Sequence, residues 1–360
     1  MNDKLRISFI IPFTNMTGGI AVVLEYYRQL TAMGHNVIIF YPLLPYWEFL
    51  YSKPLWKKIL IWLKQLHFNI IKFKRKIDLF SENIPVKPVI KISNISIPNA
   101  DAVIATAWPT AYDTAKLSAK KGHKFYFVQG YEIWSGAINK VDNSYCLPLR
   151  IITVAPWLTD LMKSKFCRND VMEIHNGIRL DKFYPPTTKK NNQASILLMA
   201  HDLELKGTKD AIDALTIVKT RYPQLEIKMF GTCARPTAPF DFEYHQNPSY
   251  KKLLSLYQNA AIFIFPSHSD SWGLTAIEAM ACKCALVATC VGCIPIINTG
   301  KNLLPAEIKK PQSIADGVIK LLEDKALAES IAMQGLKSVQ ELDWIESAQT
   351  LQCYLLTCNK

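Results

Sequence analysis

The chain has 360 residues, more than a single hydrophobic core usually serves, so two domains are expected. A hydrophobic content of 49% and a mean hydropathy of +0.06 fit a soluble protein. No run of about eighteen apolar residues without a charge is present, which argues against a transmembrane helix. The sequence starts without the basic, apolar and cleavable regions of a signal peptide, and its nine cysteines are scattered. We therefore expect a protein of the reducing cytoplasm.

The net charge of +12 is unevenly distributed along the chain. Residues 1–190 contain 26 basic and 13 acidic side chains, whereas residues 191–360 contain 16 and 17. Eight basic residues and no acidic one lie between Lys53 and Lys76, interleaved with tryptophans and aliphatic residues at helical spacing. The basic segment, defined here as residues 43–76, predicts an interfacial helix on an anionic membrane surface. The alternatives are an amphipathic helix packed on the sheet, with its lysines in solvent, and a nucleic-acid partner, for which no recognition motif is present.

The first half of the chain alternates strands and helices. A strand at Arg6–Pro12 leads into a loop that ends in Gly18 and Gly19, and a helix follows at Ile20–Met33. A glycine pair at this place lets the backbone approach a bound group closely. The spacing is not that of the dinucleotide motif GxGxxG, which argues against a nicotinamide-dependent oxidoreductase.

Two further strands, predicted at residues 101–107 and 124–128, end beside aromatic and polar side chains. Their carboxyl ends meet at one edge if the sheet is parallel, and ligands bind at such edges. Packing in the core is the alternative for the aromatic rings. Four residues are candidates for the acceptor side, two rings for stacking on a sugar and two polar side chains for hydrogen bonding: Trp108, Tyr131, Gln129 and Glu132.

A polar, proline-led stretch at residues 185–192 is the clearest domain boundary in the chain. It separates a first domain at residues 1–184 from a second domain at residues 193–342. Residues 343–360 form a terminal helix.

The second domain contains a strand–loop–helix–strand unit at residues 261–289. Its loop lies at the carboxyl end of the first strand, and the helix that begins near Gly273 presents an amino end that favours phosphate. Asp270 precedes this helix and Glu278 lies inside it. Two carboxylates beside an anion site suit a ligand with hydroxyl groups, such as a ribose or a hexose. The alternative is an N-cap Asp270 and an exposed helical Glu278.

The stretch PSHSDSWGLTAIEAMACKCALVAT, residues 266–289, resembles the donor-site signature of the retaining glycosyltransferases of family 4, which have the GT-B fold. Their usual pattern places seven residues between two glutamates, and Asp270 and Glu278 occupy these positions here. The resemblance implies that Asp270 contacts the donor sugar and that Glu278 holds the ribose hydroxyls. Lys283 replaces the family's usual glycine. The resemblance also implies that four backbone amides face the diphosphate: Trp272, Gly273, Leu274 and Thr275.

Three other stretches carry the same resemblance. The loop with Gly18 and Gly19 faces the donor diphosphate in the family. Residues 176–185 resemble the segment that closes the family's first domain. Lys206 matches the lysine of the family's GRLxxxKG loop. His201 replaces the arginine of that loop, so a phosphate contact there would be single and pH-dependent.

The resemblance implies an α/β protein of GT-B architecture, in which two Rossmann-like domains face each other across a donor-binding crevice and the terminal helix crosses back to the first domain. It implies hexosyl transfer, with retention of configuration, from a nucleotide-sugar donor to a glycan or lipid-linked acceptor in bacterial-type cell-surface polysaccharide synthesis. Catalysis would depend on Lys206, His201 and Asp270 without a metal or cofactor. The basic segment would hold the protein at the inner face of the cell membrane.

Two other functions stay open. Asp270, His201 and Lys283 depart from the family pattern, as they would in a non-catalytic subunit that binds glycan or lipid. A sugar-nucleotide epimerase on the same fold would need an acid–base pair that the sequence does not identify. No metal is expected, because the four clustered cysteines lack the spacing of a zinc site: Cys282, Cys284, Cys290 and Cys293.

Overall fold

The computed structural model describes residues 4–50, 53–71, 73–187 and 195–358. The chain divides into two compact units, one of Met1–Asn176 with Trp344–Lys360 and the other of Gly177–Asp343. The division falls ahead of the proline-led stretch that the sequence predicts as the linker. Residues 188–192 of that stretch lie outside the described residues.

The first unit is built on a parallel sheet. Its strands are β1 (Arg6–Ile10), β2 (Asn36–Pro42), β3 (Lys76–Leu79), β4 (Glu82–Pro85), β5 (Lys87–Val89), β6 (Ala102–Ala105), β7 (His123–Val128), β8 (Arg150–Thr153) and β9 (Val171–Glu173). Among the described residues, seven of them form the sheet in the order β5-β2-β1-β6-β7-β8-β9, and β3 pairs with β4 as an antiparallel hairpin. The helices are α1 (Gly18–Ala32), α2 (Leu55–Ile71), α3 (Trp108–Ala115), α4 (Ile138–Tyr145) and α5 (Pro156–Phe166).

Strands β1 and β6 are buried almost throughout, and apart from Arg6 and Ser8 in β1 their residues are apolar. Ile10 pairs with Ala105 at their carboxyl ends, so the loops that follow both strands begin side by side. The helix after β1 begins at Gly18, two residues earlier than predicted, because the Thr17 hydroxyl accepts a hydrogen bond from the Ile20 amide (3.3 Å) and caps it.

The second unit repeats this design. Its strands are β10 (Ser195–Ala200), β11 (Glu226–Gly231), β12 (Glu243–Gln246), β13 (Ile262–Phe265), β14 (Ala285–Thr289) and β15 (Leu304–Ala306). In the described residues they form one parallel sheet in the order β12-β11-β10-β13-β14-β15. The helices are α6 (Thr208–Arg221), α7 (Tyr250–Asn259), α8 (Leu274–Ala281), α9 (Ile294–Ile297), α10 (Pro311–Glu323) and α11 (Lys325–Val339).

The last helix, α12 (Trp344–Cys358), belongs to the first unit. It packs on α1, where the Trp344 ring meets the Tyr26 ring edge-on with 5.4 Å between centroids. The Ser347 hydroxyl donates a hydrogen bond to the His175 carbonyl (2.7 Å). The C-terminal helix is therefore part of the unit that the N-terminal residues form.

Residues 55–71 of the basic segment form α2, but this helix is not packed on the sheet. None of its residues is buried, so the packed amphipathic helix considered as an alternative is wrong. Two side-chain hydrogen bonds tether it to the preceding chain, from Trp62 Nε1 to the Pro45 carbonyl (2.8 Å) and from Asn69 Nδ2 to the Leu43 carbonyl (2.9 Å). Nine apolar side chains of the helix are exposed: Leu55, Trp56, Ile59, Leu60, Ile61, Leu63, Phe68, Ile70 and Ile71. Within the described part of the chain, no helix is long and apolar enough to cross a membrane.

Candidate active site

Two loops of the second unit meet at the carboxyl edge of its sheet. One follows β10 and carries His201 and Lys206, and the other follows β13 and carries Asp270. Because β10 and β13 are hydrogen-bonded neighbours, the two loops leave the sheet side by side. The amides of His268 and Ser269 both donate to the Leu205 carbonyl, at 2.8 and 3.3 Å. The loops are therefore joined through their backbones.

Gly207 permits this close approach. It adopts a φ of +67°, and a Cβ placed on it would lie 2.0 Å from the Pro266 carbonyl oxygen. No other residue fits both the left-handed backbone and this separation. The glycine beside Lys206 is thus required by the contact between the loops.

Lys206 and Asp270 form an ion pair across the loops. Lys206 Nζ donates to Asp270 Oδ2 at 2.6 Å, and only 19% and 12% of the two side chains are exposed. The structure thus brings together two residues that the sequence predicts as catalytic. An ammonium group has three donors, so Lys206 can bind a phosphate oxygen while it still contacts Asp270.

The amino end of α8 adjoins this ion pair along the chain. Gly273 is its N-cap, with a φ of +95°, and the amides of Leu274 and Thr275 lie in the first turn, where the helix itself provides no acceptor. The Trp272 ring is buried, and its carbonyl accepts a hydrogen bond from the Cys293 amide (2.7 Å). The helix therefore presents backbone donors and a partial positive charge, as an anion site requires.

Glu278 lies in α8 and is only partly buried, but its carboxyl group is held from inside the unit. The buried Tyr257 hydroxyl at the end of α7 donates to Glu278 Oε2 at 2.9 Å. Burial raises the pKa of Glu278 to about 8, although the hydrogen bond from Tyr257 lowers it in part. The exposed helical glutamate considered as an alternative is therefore wrong.

His201 is held as a neutral base. The Leu203 amide donates to His201 Nδ1 (3.0 Å), so this nitrogen carries no proton. Burial, followed by the charge of Lys206, lowers the pKa of His201 below its usual value of 6.5. At neutral pH the side chain therefore offers one N–H donor, at Nε2, and no positive charge.

Gln129 and the glycine loop come together in the first unit. Gln129 Nε2 donates to the Gly19 carbonyl at 3.1 Å, which joins the end of β7 to the start of α1. Gly18 precedes this contact and is exposed. These three predicted residues therefore lie in one place, at the carboxyl edge of the first sheet.

Trp108 does not offer a stacking face. Its side chain is 1% exposed, and a Cβ on Gly136 would lie 2.4 Å from its ring. The ring belongs to the core, and the sequence prediction for it is wrong. Glu132 accepts a hydrogen bond from the Trp108 amide (2.9 Å) at the amino end of α3, and burial raises its pKa to about 7.

Tyr131 lies in a polar cluster of the first unit. Its hydroxyl donates to Asp142 Oδ1 (2.8 Å), and Lys165 Nζ lies 2.9 Å from Asp142 Oδ2 and 4.7 Å from the centre of the Tyr131 ring. The ring is partly exposed, so it stays a candidate for contact with an acceptor.

Three residues of the site have no role in the sequence prediction: Tyr257, His268 and Asp210. Tyr257 is 21 positions from Glu278, and His268 Nε2 lies 2.5 Å from Asp210 Oδ2, which is 58 positions away. Neither separation follows a local pattern, so no signal in the sequence identifies these pairs. Among the described residues, no group of three or more His, Cys, Asp and Glu side chains is arranged to hold a metal ion.

The family model for glycosyl transferases group 1 matches residues 181–338, which contain every predicted site residue of the second unit. These residues form a group 1 glycosyltransferase domain. The predicted family resemblance is confirmed.

Relatives agree with this assignment. The capsular polysaccharide biosynthesis glycosyltransferase CapM of Staphylococcus aureus is 22% identical over 307 residues, which cover 76% of this chain and 80% of that protein. The N,N'-diacetylbacillosaminyl-diphospho-undecaprenol alpha-1,3-N-acetylgalactosaminyltransferase of Campylobacter jejuni is 26% identical over 185 residues, which cover 46% of this chain and 49% of that protein. The match to the Campylobacter enzyme therefore spans about half its length.

The fold has solved counterparts. HepE of Anabaena, in its crystal structure with UDP-glucose, matches 98% of this chain with a TM-score of 0.75 at 13% identity, and all of that chain is covered. The predicted GT-B fold is confirmed.

Proposed function

We propose that this protein is a retaining, metal-independent glycosyltransferase that moves a hexosyl group from a nucleotide sugar to a glycan or lipid-linked acceptor. The group 1 glycosyltransferase domain supports the reaction class. The names of the Staphylococcus and Campylobacter relatives support a lipid-linked acceptor in cell-surface polysaccharide synthesis. The crystal structure of HepE with UDP-glucose supports a nucleotide-sugar donor.

One observation carries this proposal. Lys206, held 2.6 Å from Asp270, shares the carboxyl edge of the second sheet with the amino end of α8, and Glu278 follows in the same helix. A cation and free helix amides suit a diphosphate. A carboxyl group with one oxygen on Tyr257 has lone pairs left for hydroxyl groups. A nucleoside diphosphate offers both a diphosphate and ribose hydroxyl groups.

The proposed chemistry is electrostatic. When the bond between the sugar and the diphosphate breaks, negative charge develops on the leaving phosphate. Lys206 and the α8 amides stabilise that charge, and neutral His201 adds one N–H donor. Asp270 binds a sugar hydroxyl and orients the donor. No side chain is assigned as nucleophile or general base.

Calorimetric titration with UDP, GDP, dTDP and CDP tests the donor site. We expect one nucleotide to bind at micromolar concentration and Glu278→Ala to abolish binding. The control is Glu329→Ala, which removes a carboxylate of the same unit whose side chain is 65% exposed. If the folded protein binds none of the four nucleotides, the proposed transferase function is wrong and a non-catalytic subunit is favoured.

We further propose that α2 binds the inner face of an anionic cell membrane. Its exposed apolar side chains are accompanied by lysines and by no acidic residue, and Lys57 Nζ lies 5.1 Å from the centre of the Trp56 ring. Lipid headgroups of negative charge match the lysines, and the acyl boundary matches the tryptophan and leucine side chains. The acceptor would then be reached at the membrane surface.

Co-sedimentation with vesicles tests this surface. Replacing Leu60 and Leu63 by serine should weaken binding to phosphatidylglycerol vesicles by about tenfold or more, because two exposed apolar side chains leave the interface. The matched control replaces Ile90 and Ile95, which are 70% and 100% exposed in the same unit but lie outside the basic segment. Equal binding by both double variants would contradict the proposal, as would equal binding to neutral phosphatidylcholine vesicles.

A further inference from the structure

The three residues before Asp270 in its loop, residues 267–269, all make backbone hydrogen bonds to neighbouring elements. Ser267 is held through its carbonyl, which accepts a hydrogen bond from the Thr289 hydroxyl of β14 (2.6 Å). The next two residues donate their amides to the Leu205 carbonyl, as described above. These contacts join the loop backbone to β14 on one side and to the Lys206 loop on the other. One side-chain contact adds to them.

That contact joins His268 to α6. His268 Nε2 lies 2.5 Å from Asp210 Oδ2, and only 13% and 17% of the two side chains are exposed. Asp210 lies in the first turn of α6, where the helix dipole favours a negative charge. Since Asp210 is an acceptor, His268 presents its Nε2 proton to it.

The contact between His268 and Asp210 lies close in sequence to the ion pair between Lys206 and Asp270. His268 is two residues before Asp270, and Asp210 is four residues after Lys206. The two contacts thus connect the Asp270 loop to the Lys206 loop and to the first turn of the helix that follows it. A hydrogen bond at 2.6 Å between Lys206 and Asp270 depends on the separation of the loops, and a catalytic pair loses effect when its support shifts.

We propose that His268 is a positioning residue of the donor site, which acts through Asp210 to hold Asp270 against Lys206. This inference rests on the proposed function for its catalytic consequence only, because the geometry of the ion pair is measurable without a donor. His268 itself does not contact the substrate.

The first arm of the test measures the Lys206–Asp270 coupling by denaturant unfolding. Lys206→Met, Asp270→Asn and the double variant are compared in the native background and in His268→Leu. We expect the coupling to fall to about half or less in His268→Leu, and to be retained in His268→Gln, whose amide can donate to Asp210. Asp210→Ala repeats the test from the helix side, should His268→Leu fail to fold.

A matched control comes from β12, where His245 Nε2 lies 2.7 Å from Glu243 Oε1 in the same unit, at the far edge of the sheet. His245→Leu should leave the coupling unchanged. If His268→Leu and Asp210→Ala leave it equally unchanged, the proposal is overturned.

The second arm is kinetic. We expect His268→Leu and Asp210→Ala to lower kcat by about tenfold each, with little change in the KM for the donor, and the double variant to be no worse than either. Full kcat in Asp210→Ala with a loss in His268→Leu would show that His268 touches the substrate, which overturns a positioning role. A native protein that transfers no sugar from any donor would refute the proposed function, while the unfolding arm would still decide this inference.

Discussion

The carboxyl group of Glu278 accepts a hydrogen bond from Tyr257 at 2.9 Å, and burial raises its pKa to about 8. The folded protein therefore binds this proton more tightly than the unfolded chain, in which the pKa is near 4.5. The stability that the group contributes is fully present below pH 4.5 and is lost as the pH rises through 8. A residue proposed to bind the donor thus destabilises the fold at neutral pH.

Glu278→Gln should separate binding from stability. Glutamine resembles the protonated acid, so we expect the free energy of unfolding at pH 7.5 to rise by about 1 to 3 kcal/mol. Nucleotide binding should be weakened, because an amide offers one oxygen acceptor in place of two. Denaturant unfolding at pH 5 and pH 7.5 checks the first result, and the gain should be smaller at pH 5. A gain that is the same at both pH values would contradict the raised pKa.

The same pKa predicts how binding depends on pH. If Glu278 accepts hydrogen bonds from the ribose as a carboxylate, nucleotide affinity should rise by about tenfold between pH 6.5 and pH 8.5. Calorimetric titration across this range measures the change, with buffers of different ionisation enthalpy to count the protons released. An affinity that falls over this range would show that the protonated acid is the binding form.

The sequence predicted the residues of the candidate site, but only some of the contacts between them. The family resemblance assigned Lys206 and Asp270 to one donor site, whereas the parallel pairing of β10 with β13, which brings their loops together, is seen only in the structure. The neutral state of His201 depends on a contact with the Leu203 amide inside an irregular loop, which no spacing rule describes. Trp108 follows a strand end, where stacking and packing look alike in the sequence, and only the space left by Gly136 decides between them.

Among the elements, the two loops at the carboxyl edge of the second sheet depend on Gly207. Gly207→Ala should lower the free energy of unfolding by about 2 to 4 kcal/mol, because a Cβ there meets the Pro266 carbonyl oxygen at 2.0 Å in addition to the strained φ. Gly300→Ala is the control. Its φ of +75° is similar but nothing lies within 4 Å of its Cβ, so about 1 kcal/mol is expected. Equal losses in the two variants, measured by denaturant unfolding, would contradict the close approach of the loops.

The alternation of strands and helices favoured parallel sheets, because crossovers between parallel strands are usually helical, and the resemblance supplied the two-domain GT-B architecture. The period of the basic segment likewise predicted α2. What covers the apolar side of that helix could not be predicted, since a period of 3.6 shows which side chains share a face and not what packs against it. The short strands β3, β4 and β12 contain too few residues for an alternating pattern to be recognised.

The chain leaves the first unit at Asn176 and returns to it at Trp344. Truncation after Asp343 should therefore destabilise the first unit, because α1 loses its contact with Trp344 and the buried Tyr26 ring is uncovered. The second unit keeps its sheet and all its helices. Limited proteolysis followed by mass spectrometry should show faster cleavage within residues 4–176 and unchanged protection of residues 195–343. Faster cleavage of both units alike would contradict a destabilisation that is confined to the first unit.

If the diphosphate half of a nucleoside diphosphate binds at Lys206 and the nucleoside half at Glu278, the two variants should affect the two halves differently, and calorimetric titration of Lys206→Met measures this. We expect the variant to bind the preferred nucleoside diphosphate at least about tenfold more weakly, because a charge-assisted hydrogen bond to phosphate is lost. Its affinity for the corresponding nucleoside, which lacks phosphate, should stay unchanged, whereas Glu278→Gln should weaken both ligands. Diphosphate binding that is equally strong in Lys206→Met and in the native protein would show that the diphosphate does not bind at Lys206.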